Sequence, residues 1–320
     1  MPSKPSVSVI IPAYNCAPLI GRALTSVLQQ DFQDWEAIVL DDASTDDTWA
    51  VCNALEPDHR VQLLRNPKNL GSAGTRNRGI NAARGDYIAL LDADDRWYPS
   101  FLSTQLQVLN SSPEIHCVCS DFDLIDENDA ITFASSARFA YDTSHPLQRH
   151  TLASLWESSR NLIPSTFVAE RQVLEKVGGF QEGYWEDINF WLRLGAADFD
   201  IFETPAVLAS YRLHSNQKTK NAERMRVARA EAYRTFVAGY PDAVRRIPRD
   251  SVRRKLKKLY TSAGDVPFWL GHDYAAASRY YLLAMRQNPF DMGTAAKLVW
   301  SHTPDIVRRT VRGFRHALAR

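Results

Sequence analysis

Long apolar runs are absent from this sequence of 320 residues, although 45% of the residues are hydrophobic. No uninterrupted apolar stretch approaches the roughly 18 residues that a membrane-spanning helix needs. The residues before Val7 lead directly into a short apolar segment and do not form the apolar core of a signal peptide. We therefore expect a cytoplasmic protein, and we leave peripheral contact with the inner face of a membrane open.

Motifs of two large enzyme classes are also absent. No Gly-x-Gly-x-x-Gly follows the first predicted strand, and no Gly-Lys-Ser or Gly-Lys-Thr loop occurs. These absences argue against dinucleotide oxidoreductases and P-loop hydrolases. The spacing of the four cysteines, Cys16, Cys52, Cys117 and Cys119, does not match the ligands of a zinc site. We expect them to be buried free thiols.

Charge is divided unevenly along the chain. Residues 1–216 contain 16 Lys/Arg and 29 Asp/Glu, whereas residues 217–320 contain 22 and 8, so net charges of −13 and +14 nearly cancel. An acidic part suits cations, and a basic part suits anions such as a membrane surface. Two solvated surfaces that neutralise each other are an equal alternative. We predict an α/β domain over residues 1–215 and a basic α-helical region over residues 216–320.

Short apolar strands alternate with amphipathic helices along the first hundred residues. In chain order, the pattern predicts strand 7–11, helix 18–30, strand 36–40, a helix to about residue 55, strand 61–64, a helix from the 71–74 turn to about residue 83, and strand 87–91. Such alternation predicts a Rossmann-like, mostly parallel central sheet with helices on both faces.

The pattern is mixed beyond residue 99. It predicts strands 117–122 and 165–169, helices 171–177 and 187–195, an irregular loop at 127–150 over the site, and basic Ala-rich helices near 222–238, 250–260, 272–287 and 292–300.

Acidic segments follow the second and fourth predicted strands. Asp41-Asp42 ends one strand, and Asp92-Ala93-Asp94-Asp95 ends the other. Because ligands bind beyond the carboxyl ends of parallel strands, we expect these segments to line one site. Two carboxylates two residues apart are hard oxygen ligands for Mg²⁺ or Mn²⁺, which could bridge a nucleotide diphosphate. Capping of a helix near Pro99 is the alternative.

Other side chains fit the same site. Asp42 can accept from the N–H of a pyrimidine base, and Tyr14 can stack on the base. Arg76 follows a Gly-rich turn and suits a phosphate. Asp187 opens a predicted helix and can take a proton from an acceptor hydroxyl. Helix capping, ordinary packing and a first-turn acid favoured by the helix dipole are the alternatives.

Taken in order, these segments resemble family 2 glycosyltransferases of the GT-A fold. The resemblance covers about residues 6–215 and rests on the following stretches: 7–15 (VSVIIPAYN), 41–46 (DDASTD), 69–71 (NLG) through Arg76-Asn77, 85–88 (GDYI) through Asp95, 178–180 (GGF), Glu186-Asp187, 191–193 (WLR) and 211–214 (YRLH).

The resemblance implies an inverting single displacement that moves a sugar from a nucleotide-sugar to a hydroxyl, with a divalent metal and no covalent intermediate. It implies Asp187 as the catalytic base. We expect Asp95 to be a structural residue. The remaining implied roles are donor binding by Pro12, Tyr14, Asp42, Arg76, Asp92 and Arg212, and metal binding by Asp94 and His214.

Some positions depart from the family pattern. Ala43 stands where many members have Gly, and Asn189 where an acid is frequent. The chain has no Gln-x-x-Arg-Trp stretch, which favours transfer of a single sugar over processive polymerisation. We expect a UDP-sugar donor, Mn²⁺ or Mg²⁺, and a glycan, lipid-linked or surface-polysaccharide acceptor, with no nucleic acid partner.

Two rival functions remain open. A sugar nucleotidyltransferase would need a Gly-rich, basic loop after the first strand, where residues 12–15 (PAYN) stand instead. A non-catalytic scaffold would bind partners through the C-terminal helices. That region ends in the basic residues Arg308, Arg309, Arg312, Arg315 and Arg320, which could hold the protein near anionic lipids.

Overall fold

The computed structural model describes residues 4–54, 58–134, 147–157, 162–183, 185–214, 217, 221–271 and 273–303. The chain divides into two compact units, Met1–Gln217 and Lys218–Arg320. The basic residues from position 304 onward lie outside the described residues. None of the described helices has both the length and the apolarity that crossing a membrane requires.

The first unit is built on a single ten-stranded sheet. Its strands are β1 (Val7–Ala13), β2 (Trp35–Asp41), β3 (Val61–Arg65), β4 (Tyr87–Leu90), β5 (Arg96–Trp97), β6 (Cys117–Ile125), β7 (Ile131–Phe133), β8 (Gln148–His150), β9 (Val168–Glu170) and β10 (Ile201–Arg212). The order is β3-β2-β1-β4-β9-β6-β10-β5, with β7 beside β6 and β8 beside β10.

The predicted parallel arrangement holds for the first four strands. β2, β1 and β4 are adjacent and parallel, and β3 extends the sheet beside β2. β9 runs antiparallel to both β4 and β6, while β10 runs parallel to β6. The sheet is therefore mixed on the side that follows β4.

Helices surround this sheet. In the first unit they are α1 (Ala17–Leu28), α2 (Thr48–Ala54), α3 (Gly71–Ala82), α4 (Phe101–Leu109), α5 (Leu152–Glu157), α6 (Arg171–Val177) and α7 (Glu186–Ala196). Alternation along β1 explains why both faces are covered. Val9 and Ile11 belong to a core cluster with Leu24 of α1, whereas Ile10 lies under α3 on the opposite face.

The second unit is helical, as predicted. It contains α8 (Ala222–Gly239), α9 (Pro241–Arg245), α10 (Arg249–Val266), α11 (Tyr274–Gln287) and α12 (Met292–His302), with a π-helical turn at Pro267–Gly271 after α10. A small apolar core of Phe268, Ala277 and Tyr281 joins the turn to α11.

Two local predictions were wrong. The predicted strand 165–169 begins as a 3₁₀ turn at Pro164–Thr166, and only Val168–Glu170 is a strand. Pro164 fixes a helical φ and lacks the N–H that a strand would use. The loop predicted at 127–150 includes β7 and β8, which pair with β6 and β10; residues 135–146 lie outside the described residues.

The structure explains two features of the sequence, Ala43 and the four cysteines. Ala43 has a φ of 60°, in the left-handed region that favours glycine, which accounts for the glycine that is frequent at this place. The four cysteines are free, and all but the half-buried Cys16 are buried. Burial raises the pKa of Cys16 to about 12 and that of Cys52 to about 11, so neither is a thiolate at neutral pH.

A glycine in α3 permits the close contact between this helix and the sheet. A Cβ on Gly79 would lie 2.5 Å from Cγ2 of Ile10 and 2.8 Å from Cδ1 of Leu40. We expect Gly79→Ala to lower the free energy of unfolding by about 1–3 kcal/mol through overpacking, measured by urea denaturation. Gly293→Ala is the control, because its new Cβ meets nothing within 4 Å. Equal stability of Gly79→Ala and wild type would contradict this explanation.

Candidate active site

The carboxyl ends of three adjacent parallel strands bring the predicted segments to one edge of the sheet. Ala13 at the end of β1 is in register with Asp41 at the end of β2. Ile10 is in register with Leu90, so the acidic stretch after β4 begins beside the same edge. Tyr14, Asp42 and Asp92 therefore follow neighbouring strands, as the strand-end rule predicts.

Asp42 is buried and binds the segment that leads into α3. Its Oδ1 accepts hydrogen bonds from Nδ2 of Asn66 and the backbone N–H of Leu70, both at 2.7 Å, and its Oδ2 accepts from the N–H of Gly71 at 2.9 Å. These donors include N–H groups at the start of a helix, which favour a carboxylate. Tyr14, by contrast, is 50% exposed and available for stacking.

The buried guanidinium of Arg76 connects two distant acidic residues. Its Nη2 lies 2.5 Å from Oδ1 of Asp92, and its Nη1 lies 3.0 Å from Oε1 of Glu186. Burial alone would lower the pKa of Arg76, but Asp92 and Glu186 raise it above its ordinary value, so the guanidinium remains charged. Burial raises the pKa of Asp92, and the same ion pair opposes that rise.

The turn after β4 is held by hydrogen bonds that leave its acids in different environments. The N–H of Asp92 donates to Oγ of Ser165 at 3.0 Å, and this hydroxyl donates to Oδ2 of Asp95 at 2.5 Å. The N–H of Arg212 donates to the other oxygen of Asp95 at 2.9 Å. Burial raises the pKa of Asp95 well above its ordinary value. Asp95 therefore belongs to the scaffold of the turn.

Arg212 is fully buried at the end of β10, and its contacts fix the same turn. Its Nε donates to the carbonyl of Asp94 at 2.8 Å, its Nη1 donates to the carbonyl of Asp126 at 2.7 Å, and its Nη2 pairs with the carboxylate of Asp129. The side chain thus ties the acidic turn to the turn between β6 and β7.

Asp94 faces the last residue of the predicted site. Its Oδ2 lies 3.0 Å from Nε2 of His214, two residues after β10, and both side chains are partly exposed. A carboxylate oxygen beside an imidazole nitrogen is a donor pair that suits Mn²⁺, and less well Mg²⁺. Within the described ranges, no group of three or more His, Cys, Asp or Glu side chains is arranged to hold a metal. A bound phosphate or water would supply further ligands to these two side chains.

Asp187 lies in the first turn of α7, next to Glu186, which pairs with Arg76. Its Oδ1 accepts from the N–H of Ile188 at 2.8 Å, and its charge contributes to the raised pKa of Arg76. Asn189, where an acid is frequent in the family pattern, is buried and accepts from Nε of Arg193 at 2.9 Å. The structure therefore connects the start of α7 to the acidic turn through a single buried cation.

Three site residues were missed by sequence reasoning. Glu186 had a visible signal, since it precedes the predicted base, but its partner Arg76 is 110 residues away. Ser165 is 70 residues from Asp95 and has no local motif. Asn66, which donates to Asp42, follows β3 and could have been found by the strand-end rule.

Residues 8–178 match the family model described as Glycosyl transferase family 2. The chain belongs to glycosyl transferase family 2. Two curated relatives support this assignment at 30% identity. One is the UDP-Glc:alpha-D-GlcNAc-diphosphoundecaprenol beta-1,3-glucosyltransferase WfaP of Escherichia coli, over 67% of this chain and 80% of that protein. The other is the putative teichuronic acid biosynthesis glycosyltransferase TuaG of Bacillus subtilis, over 68% and 83%.

Solved structures confirm the fold of this glycosyltransferase. Residues 1–349 of S. aureus TarS in complex with UDP-GlcNAc superpose with a TM-score of 0.66 at 17% identity, covering 92% of this chain and 89% of TarS 1–349. The mannosyltransferase PcManGT of Pyrobaculum calidifontis, in complex with GDP-Man and Mn²⁺, gives 0.60 at 19% identity, covering 94% and 89%. The predicted GT-A type fold with a helical C-terminal region is thereby confirmed.

Removing Arg76 takes this cation away from the buried Glu186 and the partly exposed Asp92. We expect Arg76→Met to lower the free energy of unfolding by roughly 3–5 kcal/mol at neutral pH. Burial raises the pKa of Asp92, and without Arg76 no cation opposes that rise. The loss therefore grows as the pH rises above about 4 and shrinks in acid. Urea denaturation at pH 5 and pH 8 measures both effects.

Arg245→Met is the matched control, since the exposed Arg245 forms a surface ion pair with the exposed Asp242. Its stability should change by less than about 1 kcal/mol and equally at both pH values. A loss in Arg76→Met that is the same at pH 5 and pH 8 would contradict the role assigned to the ion pairs.

Proposed function

We propose that this glycosyltransferase moves one sugar from a nucleoside-diphosphate sugar to a hydroxyl by an inverting single displacement that uses a divalent cation. The observation that carries the proposal is the link through Arg76. It joins Asp92, in the acidic turn after β4, to Glu186, which directly precedes the proposed base in α7. A donor bound at the turn would thus have its reacting end near the start of that helix.

Donor binding is assigned to the loops after the first three parallel strands and to the turn after β4. Pro12 and the exposed Tyr14 would flank the base, and Asp42 would accept from its N–H. For that, Asp42 must share or release a hydrogen bond to Leu70 or Gly71. Arg76 and Asp92 would lie beside the ribose and phosphates. We assign Arg212 an indirect part, because its contacts position the turn rather than face a ligand.

The metal site is assigned to Asp94 and His214, whose polar atoms are 3.0 Å apart. A divalent cation held there would neutralise the negative charge that grows on the departing diphosphate. Mn²⁺ is the preferred ion because the pair includes an imidazole nitrogen. The complex of PcManGT with GDP-Man and Mn²⁺ is consistent with this choice.

Asp187 is assigned as the catalytic base. Its carboxylate would accept the proton of the acceptor hydroxyl while the hydroxyl oxygen attacks the anomeric carbon. The bond from that carbon to the diphosphate oxygen breaks in the same step, and the nucleotide diphosphate leaves from the opposite face. Inversion at the anomeric carbon follows from this geometry, and no residue of the protein forms a covalent bond to the sugar.

The donor and acceptor classes follow from relatives. WfaP is named as a UDP-Glc-dependent enzyme acting on a diphosphoundecaprenol-linked sugar, and TuaG is named for teichuronic acid biosynthesis. TarS has been solved with UDP-GlcNAc. We therefore propose a UDP-sugar donor and a lipid-linked or envelope-polysaccharide acceptor. A nucleotidyltransferase is disfavoured, since Pro12 and Ala13 end β1 where that activity would need a basic, Gly-rich loop.

Substitutions of Asp94 and Asp187 should have separate effects on UDP binding and on sugar transfer. Asp94→Asn should lose the Mn²⁺-dependent gain in UDP affinity, measured by calorimetric titration of UDP with and without the metal. Asp187→Asn should bind UDP as tightly as wild type but release the nucleoside diphosphate from the cognate donor about 10²–10⁴-fold more slowly.

Glu175→Gln is the control, since this carboxylate is exposed on α6, and it should behave as wild type in both measurements. The donor itself is found by screening UDP-, GDP- and dTDP-sugars with Mn²⁺ or Mg²⁺ for release of the nucleoside diphosphate. The transferase mechanism is refuted if none of these donors binds or is consumed, or if Asp187→Asn retains full turnover.

A further inference from the structure

The last described helix, α12, presents apolar side chains on the side opposite its packing face. Thr294 and Lys297 face α10, where Oγ1 of Thr294 lies 3.3 Å from that of Thr261, and Nζ of Lys297 lies 2.7 Å from Oδ1 of Asp265. Met292 and Val299 are seven residues apart and therefore share another face. They are 79% and 69% exposed.

Phe290 is a third exposed apolar side chain, next to the start of α12. It directly precedes Asp291, the residue before α12, and is 89% exposed. Exposing these three large apolar side chains to water is unfavourable relative to burying them. We name Phe290, Met292 and Val299 the apolar ridge of the second unit. A ridge of this kind indicates a surface that becomes covered.

A basic cleft adjoins the ridge. It has a volume of about 390 Å³ and is lined by Arg254, Lys257, Lys258, Thr261, Ser262, Asp265 and Asp291. All but the last recur at helical spacing along one face of α10. Asp291 stands between Phe290 and Met292 in the chain, and its Oδ1 lies 3.2 Å from Nζ of Lys257. The cations of the cleft and the start of the ridge are therefore neighbours.

The net positive charge of the second unit indicates which kind of surface covers the apolar ridge. Residues 218–320 contain 22 Lys/Arg and 8 Asp/Glu, so a covering surface of negative charge is favoured. A lipid surface with anionic headgroups provides both an apolar layer and negative charge. Apolar side chains enter the acyl boundary, and basic side chains contact the phosphates. An acidic protein would meet the charge but would need a matching apolar groove for the ridge.

We propose that the second unit docks on an anionic phospholipid surface. The apolar ridge inserts below the headgroups, and Arg254 and Lys258 at the cleft contact lipid phosphates. This surface belongs to the helical unit alone, so the proposal does not rest on the transferase mechanism. It can fail while the proposed donor chemistry holds, and the reverse is equally possible.

Co-sedimentation of the full chain with vesicles tests the proposal. Phosphatidylcholine vesicles with and without phosphatidylglycerol are the probes, at low and high salt, with no donor present. Wild type should sediment with the anionic vesicles and much less with the neutral ones. Phe290→Ser combined with Met292→Ser should weaken binding by at least about tenfold. Arg254→Gln combined with Lys258→Gln should weaken it by about twentyfold.

Matched controls separate this surface from general effects. Ile131→Ser removes an exposed apolar side chain of the first unit, and Lys4→Gln combined with Lys68→Gln removes the same number of charges there. Both should bind like wild type, and circular dichroism should show every variant helical. The proposal is overturned if wild type binds neutral and anionic vesicles equally or binds neither, or if the ridge and cleft variants bind like the controls.

Discussion

A buried arginine between two carboxylates is the constraint on which this active site depends. Arg76 is held in α3, Asp92 follows β4, and Glu186 begins α7, so one guanidinium fixes three elements that are far apart in sequence. The ion pairs offset the desolvation of these charges only while all three groups remain paired, because removing one partner leaves the desolvation cost of the others uncompensated. The pairing therefore keeps the acidic turn after β4 and the helix that carries Asp187 in one arrangement.

The three aspartates of the acidic turn after β4 have different surroundings. Asp95 is enclosed by Ser165 and the backbone of Arg212, and Asp92 is engaged by Arg76. Only Asp94 is directed towards His214 at the partly exposed side of the turn. Concentrated negative charge is costly without compensation. The guanidinium of Arg76 compensates Asp92, neutral hydrogen-bond donors hold Asp95, and Asp94 stands at the place assigned to the metal.

Much of this arrangement could be predicted from local patterns. The strand-end rule located Asp42 and Asp92 correctly, because parallel strands bring their carboxyl ends together whatever lies between them in sequence. The contact between Arg76 and Glu186 could not be predicted, since no periodicity reports pairing over such a distance. The direction of the Arg212 side chain was equally inaccessible, because it is set by tertiary packing against the turn at Asp126 and Asp129.

The most direct test of this account is an anomalous difference map at the manganese edge from a crystal of the protein with Mn²⁺ and UDP. The account predicts one manganese peak bonded to the carboxylate of Asp94 and to the diphosphate, with Arg76 still between Asp92 and Glu186. It would be contradicted by UDP bound at this edge of the sheet with no manganese at Asp94, or by manganese and UDP bound elsewhere on the chain.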